Sequence, residues 1–344
     1  MKSAVILILD KMAYREHENE YTKVLKEKYD STQIVYTEYE DSLIRKVRNW
    51  RYVGSVLQHL LYWFKSLNYA RKIMRMKSAD IICINPIVGI FLGLMNSKKK
   101  KFNITFCGFL FEPKRNKLYY NMRKKIVNRA LKGVNNAVVY ASQEVEYYEK
   151  IFNIQGKFRF VQYGIDYLVE NRYSREIAKP YIFSGGGSNR DYNTLLEAYN
   201  LGKSQDQIPA LYIATLPKCV DGLDVSGVEI LTDVVLETFG DVEKKSDFVV
   251  LSLKDTEISA GHQVMLEALK NNCIVIINRI KAVEDYVSEN QVLFFESGNV
   301  EDLKNKIVFV TKHYDEMKKK FINNSKYYSE RFTFSALLNR LVEL

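Results

Sequence analysis

Residues 181–198 read YIFSGGGSNRDYNTLLEA. A short apolar run is followed by Gly185, Gly186 and Gly187, then polar residues, then helical spacing from about Tyr192. Glycines lack a Cβ, so a ligand can come close to the backbone N–H groups of such a loop. The start of the next helix adds a partial positive charge suited to phosphate, and Arg190 adds a permanent cation. The run is neither GxGxxG nor GxxxxGK[ST], and no acidic residue stands some 20 positions on at the end of a second strand. A plain strand-to-helix turn is the competing reading, because glycines alone are a weak signal.

The same alternation of apolar run and helical segment recurs on both sides. Strands are expected at 4–9, 33–36, 81–84, 103–106, 137–140 and 158–161, and again at 181–184, 210–214, 228–231, 248–253, 273–277 and 292–295. Helical segments such as 19–29, 119–131, 192–199 and 264–271 lie between them. Repeated strand–helix alternation predicts parallel sheets wound by right-handed crossovers. Twelve strands are too many for one compact doubly wound sheet and suit two of six. A chain of 344 residues accommodates two such α/β domains. The polar stretch 164–180 marks the boundary, giving domains 1–165 and 166–344, with the last helical segment, 325–344, able to pack back on the first domain.

Bulk composition is that of a globular protein, 47% hydrophobic and 27% charged, which excludes disorder as the default. Cys83, Cys107, Cys219 and Cys273 are scattered, with no CxxC pair and no Cys/His cluster. That pattern favours a reducing compartment and argues against a structural zinc. The opening apolar run reads as a buried first strand rather than a signal-peptide core, and the stretch 81–95 is too short to span a bilayer. Charge is one-sided. Residues 1–170 carry 30 Lys+Arg and 16 Asp+Glu, whereas residues 171–344 carry 21 and 25. The halves therefore meet different partners.

A second informative run covers residues 248–276 and includes SAGHQVMLEAL at 259–269. A strand leads into a loop of small residues (Ser259, Ala260, Gly261, with His262 and Gln263 at the helix start), and Glu267 lies about one turn inside the helix. A loop for a diphosphate with a carboxylate for a ribose is what a nucleoside diphosphate requires. Both runs resemble the donor half of glycosyltransferase family 4, the glycosyl transferases group 1. VEDYVSEN at 283–290, GNVEDL at 298–303, VVYASQEVEYY at 138–148 and VQYGID at 161–166 fit the same family. The resemblance covers residues 135–330 and extends to 1–134 only in the order of elements. It implies a GT-B fold of two Rossmann-like domains facing across a cleft, with a nucleotide-sugar donor held by the second. It also implies transfer with retention and no bound metal or cofactor. By position, Arg190 matches the basic residue facing the diphosphate, Glu267 the ribose carboxylate, and Gly261, His262 and Gln263 the loop beside diphosphate and sugar. The chain departs from the pattern at Ser259, where the family often has an acid, and at Gly187, where it often has a basic residue.

His17 follows the first strand with Glu16 and Glu18 beside it. Loops beyond the carboxyl ends of strands gather ligands, so His17 and Glu18 are candidates for acceptor contact or acid/base work; a solvated loop histidine is the bland alternative. Residues 42–79 hold nine Lys/Arg, no acidic residue and both tryptophans, Trp50 and Trp63. Basic residues interleaved with aromatics suit an anionic membrane surface, a buried helix with a basic outer face being the alternative. No nucleic-acid motif accompanies the charge. The combined expectation is transfer of a sugar from a nucleoside-diphosphate sugar to a glycan or lipid-linked glycan in cell-surface glycan assembly, on the cytoplasmic face of the membrane. An inactive GT-B homologue acting as a scaffold, and a GT-B-type nucleotide-sugar epimerase, remain alternatives.

Overall fold

A computed structural model describes residues 4–10, 17–39, 54–77, 79–114, 116–166, 172–205, 207–234 and 236–344. Glu16, Trp50 and the cations at 45, 46, 48 and 51 lie outside the described residues. The chain divides into two units, one of residues 1–161 with 334–344 and one of residues 162–333.

The first unit is built on strands β1 (Val5–Asp10), β2 (Thr32–Thr37), β3 (Asp80–Cys83), β4 (Asn103–Phe106), β5 (Asn136–Val139) and β6 (Phe158–Phe160), in the order β2-β1-β3-β4-β5-β6. All neighbours are parallel. Helices Gly54–Met74, Pro86–Lys99 and Lys117–Leu131 pack side by side on one face. Helices Glu18–Lys26 and Phe334–Val342 pack together with the other. Both faces being covered explains why β1 reads VILILD without polar alternation. The helix Pro86–Lys99 starts at an Asn85 cap whose side chain accepts from the N–H groups of Ile87 and Val88, with Pro at the first position. It crosses the end of Lys117–Leu131 backbone to backbone, since a Cβ on Gly133 would lie 1.9 Å from the carbonyl oxygen of Gly93. Buried Asn96 ties that crossing, donating to the carbonyls of Phe102 and Gly133 at 2.8 Å each.

The second unit has strands β7 (Tyr181–Gly185), β8 (Ala210–Ala214), β9 (Glu229–Leu231), β10 (Phe248–Leu251), β11 (Ile274–Asn278) and β12 (Leu293–Phe295), all parallel, in the order β12-β11-β10-β7-β8-β9. Helices Tyr192–Gln205 and Val300–Lys312 cover one face. Leu236–Lys244 and His262–Lys270 lie together on the other, the latter also packed on Asn324–Arg331. Two parallel sheets of six are what the alternation predicts, each strand falling within about two residues of its expected place. The helical segment expected at 325–344 is two helices, broken at Phe332–Thr333. There the Phe332 carbonyl accepts from the Ile165 N–H at 2.9 Å and from the Lys270 ammonium at 3.1 Å. The four cysteines are free thiols, with Cys83, Cys107 and Cys273 buried.

Candidate functional site

In the second sheet the order reverses between β7 and β10, and ligands of doubly wound sheets bind beyond the carboxyl ends of the strands at such a switch point. The two loops singled out in the sequence leave the sheet there. They are tied to one another: Arg190 forms an antiparallel bridge with Leu253, the Asp191 N–H donates to the Ser252 carbonyl at 2.9 Å, and the Lys254 N–H donates to the Asn189 carbonyl at 2.9 Å. The Asn189 amide reaches the Ile258 carbonyl at 3.2 Å. From the next strand, the Asn278 side chain clamps Leu253, accepting from its N–H and donating to its carbonyl at 2.8 Å each.

The glycine loop is shaped by contacts that side chains would prevent. Gly186 has φ +105°, and a Cβ on it would meet the Arg190 guanidinium at 2.5 Å. The Gly186 carbonyl accepts from the hydroxyls of Tyr192 at 2.6 Å and Thr215 at 2.9 Å. Arg190 is 9% exposed and folds beneath the loop, its Nε donating to the Gly185 carbonyl at 2.8 Å and Nη1 to the Ser188 carbonyl at 2.9 Å. Burial pushes its pKa down from the usual guanidinium range. Arginine still stays protonated, so the loop sits on a desolvated positive charge. Gly261, with φ +87°, caps the helix His262–Lys270, and a Cβ there would meet Leu253 at 3.0 Å and the Arg190 guanidinium at 3.3 Å. Arg190 thus lies under both loops.

A cavity of ≈ 500 Å³ opens above this arrangement. Gly186 and Gly187 form one wall, Gln263, Val264 and Glu267 another, and Thr215, Leu216, Thr232 and Phe239 complete it. Glu267 is buried on the first turns of its helix, at the cavity wall. Helix N–H groups not used within the helix start the same wall, which suits an anion. The structure therefore brings together Gly186, Gly187, Gln263 and Glu267, with Arg190 beneath them. Ser259 and Ala260 lie in the tied loop, half-buried. His262 goes elsewhere: its ring is buried, Nε2–H donates to the Ala282 carbonyl at 3.1 Å, and it packs on Tyr286 at 4.4 Å. Burial pushes its pKa down to about 4, so the ring is neutral near pH 7 and braces the helix rather than lining the cavity. Thr215, Thr232, Phe239 and Asn278 had no signal in the sequence, because they arrive singly from four different elements.

In the first unit, His17 caps the helix Glu18–Lys26 beyond the carboxyl end of β1. Its Nδ1 stands 3.4 Å from Glu20 rather than beside Glu18, whose carboxylate accepts from the Tyr36 hydroxyl at 2.8 Å. Among the described residues, no helix is long and apolar enough to cross a membrane.

No family model matches the sequence, and no curated protein matches it. Solved structures do. Anabaena HepE in complex with UDP and glucose superposes with a TM-score of 0.65 at 13% identity, over 98% of each chain. The catalytic domain of Arabidopsis thaliana starch synthase IV, bound to ADP and acarbose, gives 0.65 at 10% identity over 100% of each. S. aureus TarM, in a complex that includes UDP, gives 0.61 at 13% over 82% of this chain and 58% of that one, so the chain spans little more than half of TarM. These neighbours are GT-B glycosyltransferases. At such identities the likeness carries the fold. The chain has the GT-B fold of two Rossmann-like domains.

Two outcomes follow for the site. A Cβ at Gly187 meets only the Cys219 sulfur, at 3.8 Å, so Gly187→Ala should keep the parent's melting temperature. Gly261→Ala should lose about 1–2 kcal/mol of stability, from its left-handed backbone alone, in urea unfolding. His262 sets an acid limit. Its folded pKa lies below the unfolded value of 6.5, so the unfolded state gains the proton first as pH falls. Stability should drop through the window from pH 6.5 to 4 by up to about 3 kcal/mol, and be unaffected by this group above 6.5. Urea midpoints for His262→Gln, which keeps a donor for Ala282, should show a shallower acid decline than the parent.

Proposed function

We propose that the chain is a glycosyltransferase, akin to family 4, that moves a sugar from a nucleoside-diphosphate sugar to a glycan or lipid-linked glycan acceptor. The observation that carries this is the meeting, at one cavity on the switch point of the second sheet, of a glycine loop, a helix start and a buried carboxylate over a buried arginine. Each part answers one part of the donor. Gly186, Gly187 and the helix N–H groups take the diphosphate. Glu267 takes the ribose hydroxyls, for which a carboxylate has acceptor capacity on both oxygens. The Arg190 charge, fixed before the reaction and shielded from water, stabilises the negative charge that grows on the leaving diphosphate. That stabilisation supports a reaction without a metal ion. UDP in HepE and TarM and ADP in starch synthase IV support a nucleoside diphosphate as the common element.

The acceptor side is read on the first unit. His17 and Glu18 stand beyond the carboxyl end of β1, where His17 can work as a general base or orient a hydroxyl. The basic tract 42–79 supports contact with an anionic membrane surface, so the reaction is read on the inner face of the cell membrane, in the assembly of a cell-surface glycan. Retention of anomeric configuration is what the family resemblance implies.

A thermal-shift screen across nucleoside diphosphates and their sugars identifies the donor, because a ligand that binds only the folded state stabilises it. Glu267→Ala should then lower the affinity for that diphosphate by about 1–3 kcal/mol, roughly five- to 150-fold, in calorimetry with folding verified. Unchanged affinity would remove Glu267 from the site, and tight donor binding with neither transfer nor donor hydrolysis would favour a scaffold. His17→Ala should lower transfer by about 100-fold or more while donor affinity holds, the signature of a group acting on the acceptor. Parent turnover in that variant returns His17 to a surface role.

A further inference from the structure

The helices Gly54–Met74, Pro86–Lys99 and Lys117–Leu131 are crossovers of one parallel sheet and pack on the same face, so they run in the same direction from its carboxyl edge. On the two outer helices the exposed residues change character along the axis. Gly54–Met74 exposes Leu60, Trp63 and Phe64, and after them Arg71 and Lys72, with Arg75 just past its end. Lys117–Leu131 opens on an exposed Lys117, then exposes Leu118, Tyr119 and Met122, and after them Lys125 and Arg129. Leu118 is 81% exposed, Phe64 65% and Met122 52%. Single exposed apolar side chains are ordinary, but large ones gathered at one end of a face mark an interaction site. In the sequence the cations at 114–132 extend the basic tract of 42–79, but the apolar side chains beside them carry no signal there.

We propose that the outer face of this helix layer is a membrane-docking surface, with the apolar ends inserted into the interfacial zone of an anionic bilayer and the cationic ends over its headgroups. This rests on the membrane contact proposed above, adds the helix Lys117–Leu131 as a second point of contact, and names the side chains that insert. Charge selects the partner. Residues 110–132 hold eight Lys/Arg and a single carboxylate, Glu112, which is already paired with Lys114 at 2.9 Å. A second copy of the chain seated face to face would oppose cation to cation, whereas an anionic leaflet attracts every one. Geometry agrees. Phe64 and Lys72 are eight residues apart on the helix, about 12 Å along the axis, so a tilted layer can reach from the headgroups into the acyl boundary, a depth of about 5–10 Å for interfacial helices.

The test is sedimentation of the full chain with vesicles of phosphatidylcholine alone or mixed with phosphatidylglycerol, at low and high salt. The parent should come down with the anionic vesicles at low salt and far less with neutral ones. Leu118→Ser with Met122→Ser leaves the charge unchanged and alters only exposed side chains. It should weaken binding to anionic vesicles at least about tenfold, because the inserted apolar area is lost. Replacing Arg71, Lys72, Arg75 and Lys77 by Gln should weaken binding and flatten its salt dependence. Melting temperature and nucleoside-diphosphate affinity should match the parent in both variants, which separates this test from the donor-site reading. Parent-like vesicle binding by the Leu118→Ser, Met122→Ser variant would overturn the insertion while leaving an electrostatic contact. A parent that ignores anionic vesicles would overturn the membrane contact altogether. Self-association of the parent in ultracentrifugation, abolished by the same variant and indifferent to lipid, would assign the face to a second copy.

Discussion

The candidate site depends on one cross-tie, the strap of hydrogen bonds that holds residues 189–191 against residues 252–254. Two loops at the end of a parallel sheet have no ladder of their own, and their backbone groups need partners wherever water is excluded. Here each loop supplies the other. The bridge between Arg190 and Leu253 and the Asn278 amide behind it extend pairing one step past β7 and β10. The extension fixes where both glycine-bearing turns can go. Gly186 and Gly261 then accommodate the same guanidinium from two sides. A buried guanidinium needs acceptors, and its Nε and Nη1 find them in loop carbonyls. No carboxylate among the described residues forms an ion pair with it, although the Glu243 charge acts on it from beyond ion-pair distance. Carbonyls satisfy hydrogen bonds without cancelling a positive charge, and that distinction separates a structural arginine from one that also prepares an anion site.

Much of the architecture was legible in the sequence, for a physical reason. Strands buried on both faces must be continuously apolar, and the runs VILIL, FVVL and IVII announce themselves without any alternation to decode. The glycine loop was legible because removing Cβ atoms is the only way to bring a backbone so close to its neighbours. His262 was not. In sequence it stands in the middle of a loop-and-helix motif next to Gln263, and nothing in that spacing tells which of two adjacent side chains turns inward. On a helix, adjacent residues diverge by about 100°, so Gln263 reaches the cavity while His262 reaches Ala282. Phe239, Thr215 and Thr232 were invisible for a different reason: they reach the cavity from places far apart in the sequence, with no motif around them.

The helix His262–Lys270 shows how one short element links the site to the rest of its unit. Its first turns carry Gln263, Val264 and Glu267 at the cavity wall. The buried ring of His262 binds it to the 281–284 helix. Its last residue, Lys270, donates to the carbonyls of Ile165 and Phe332 at 2.7 and 3.1 Å. Burial pulls that ammonium's pKa down to about 8, against the opposing pull of Asp166 and Glu267. Ile165 and Phe332 stand close to the two places where the chain passes between its units, 161–162 and 333–334. Lys270 thus ties the helix that carries Glu267 to the backbone beside both connections.

The same economy explains the charge imbalance. The second unit buries Arg190 beneath the cavity and is otherwise mildly acidic. The first unit spreads its cations over the ends of helices, where they also complement the carbonyl ends of the helix dipoles. That local benefit accounts for some lysines at 98–101 and 132, which sit at or just past helix C-termini. It does not account for Leu118, Met122 or Phe64, which gain nothing from water and cover no core. Cations alone would be read as solubility and apolar side chains alone as chance. Their succession along two parallel helices is what neither explanation produces, and it is the observation on which the proposed contact with an anionic bilayer rests.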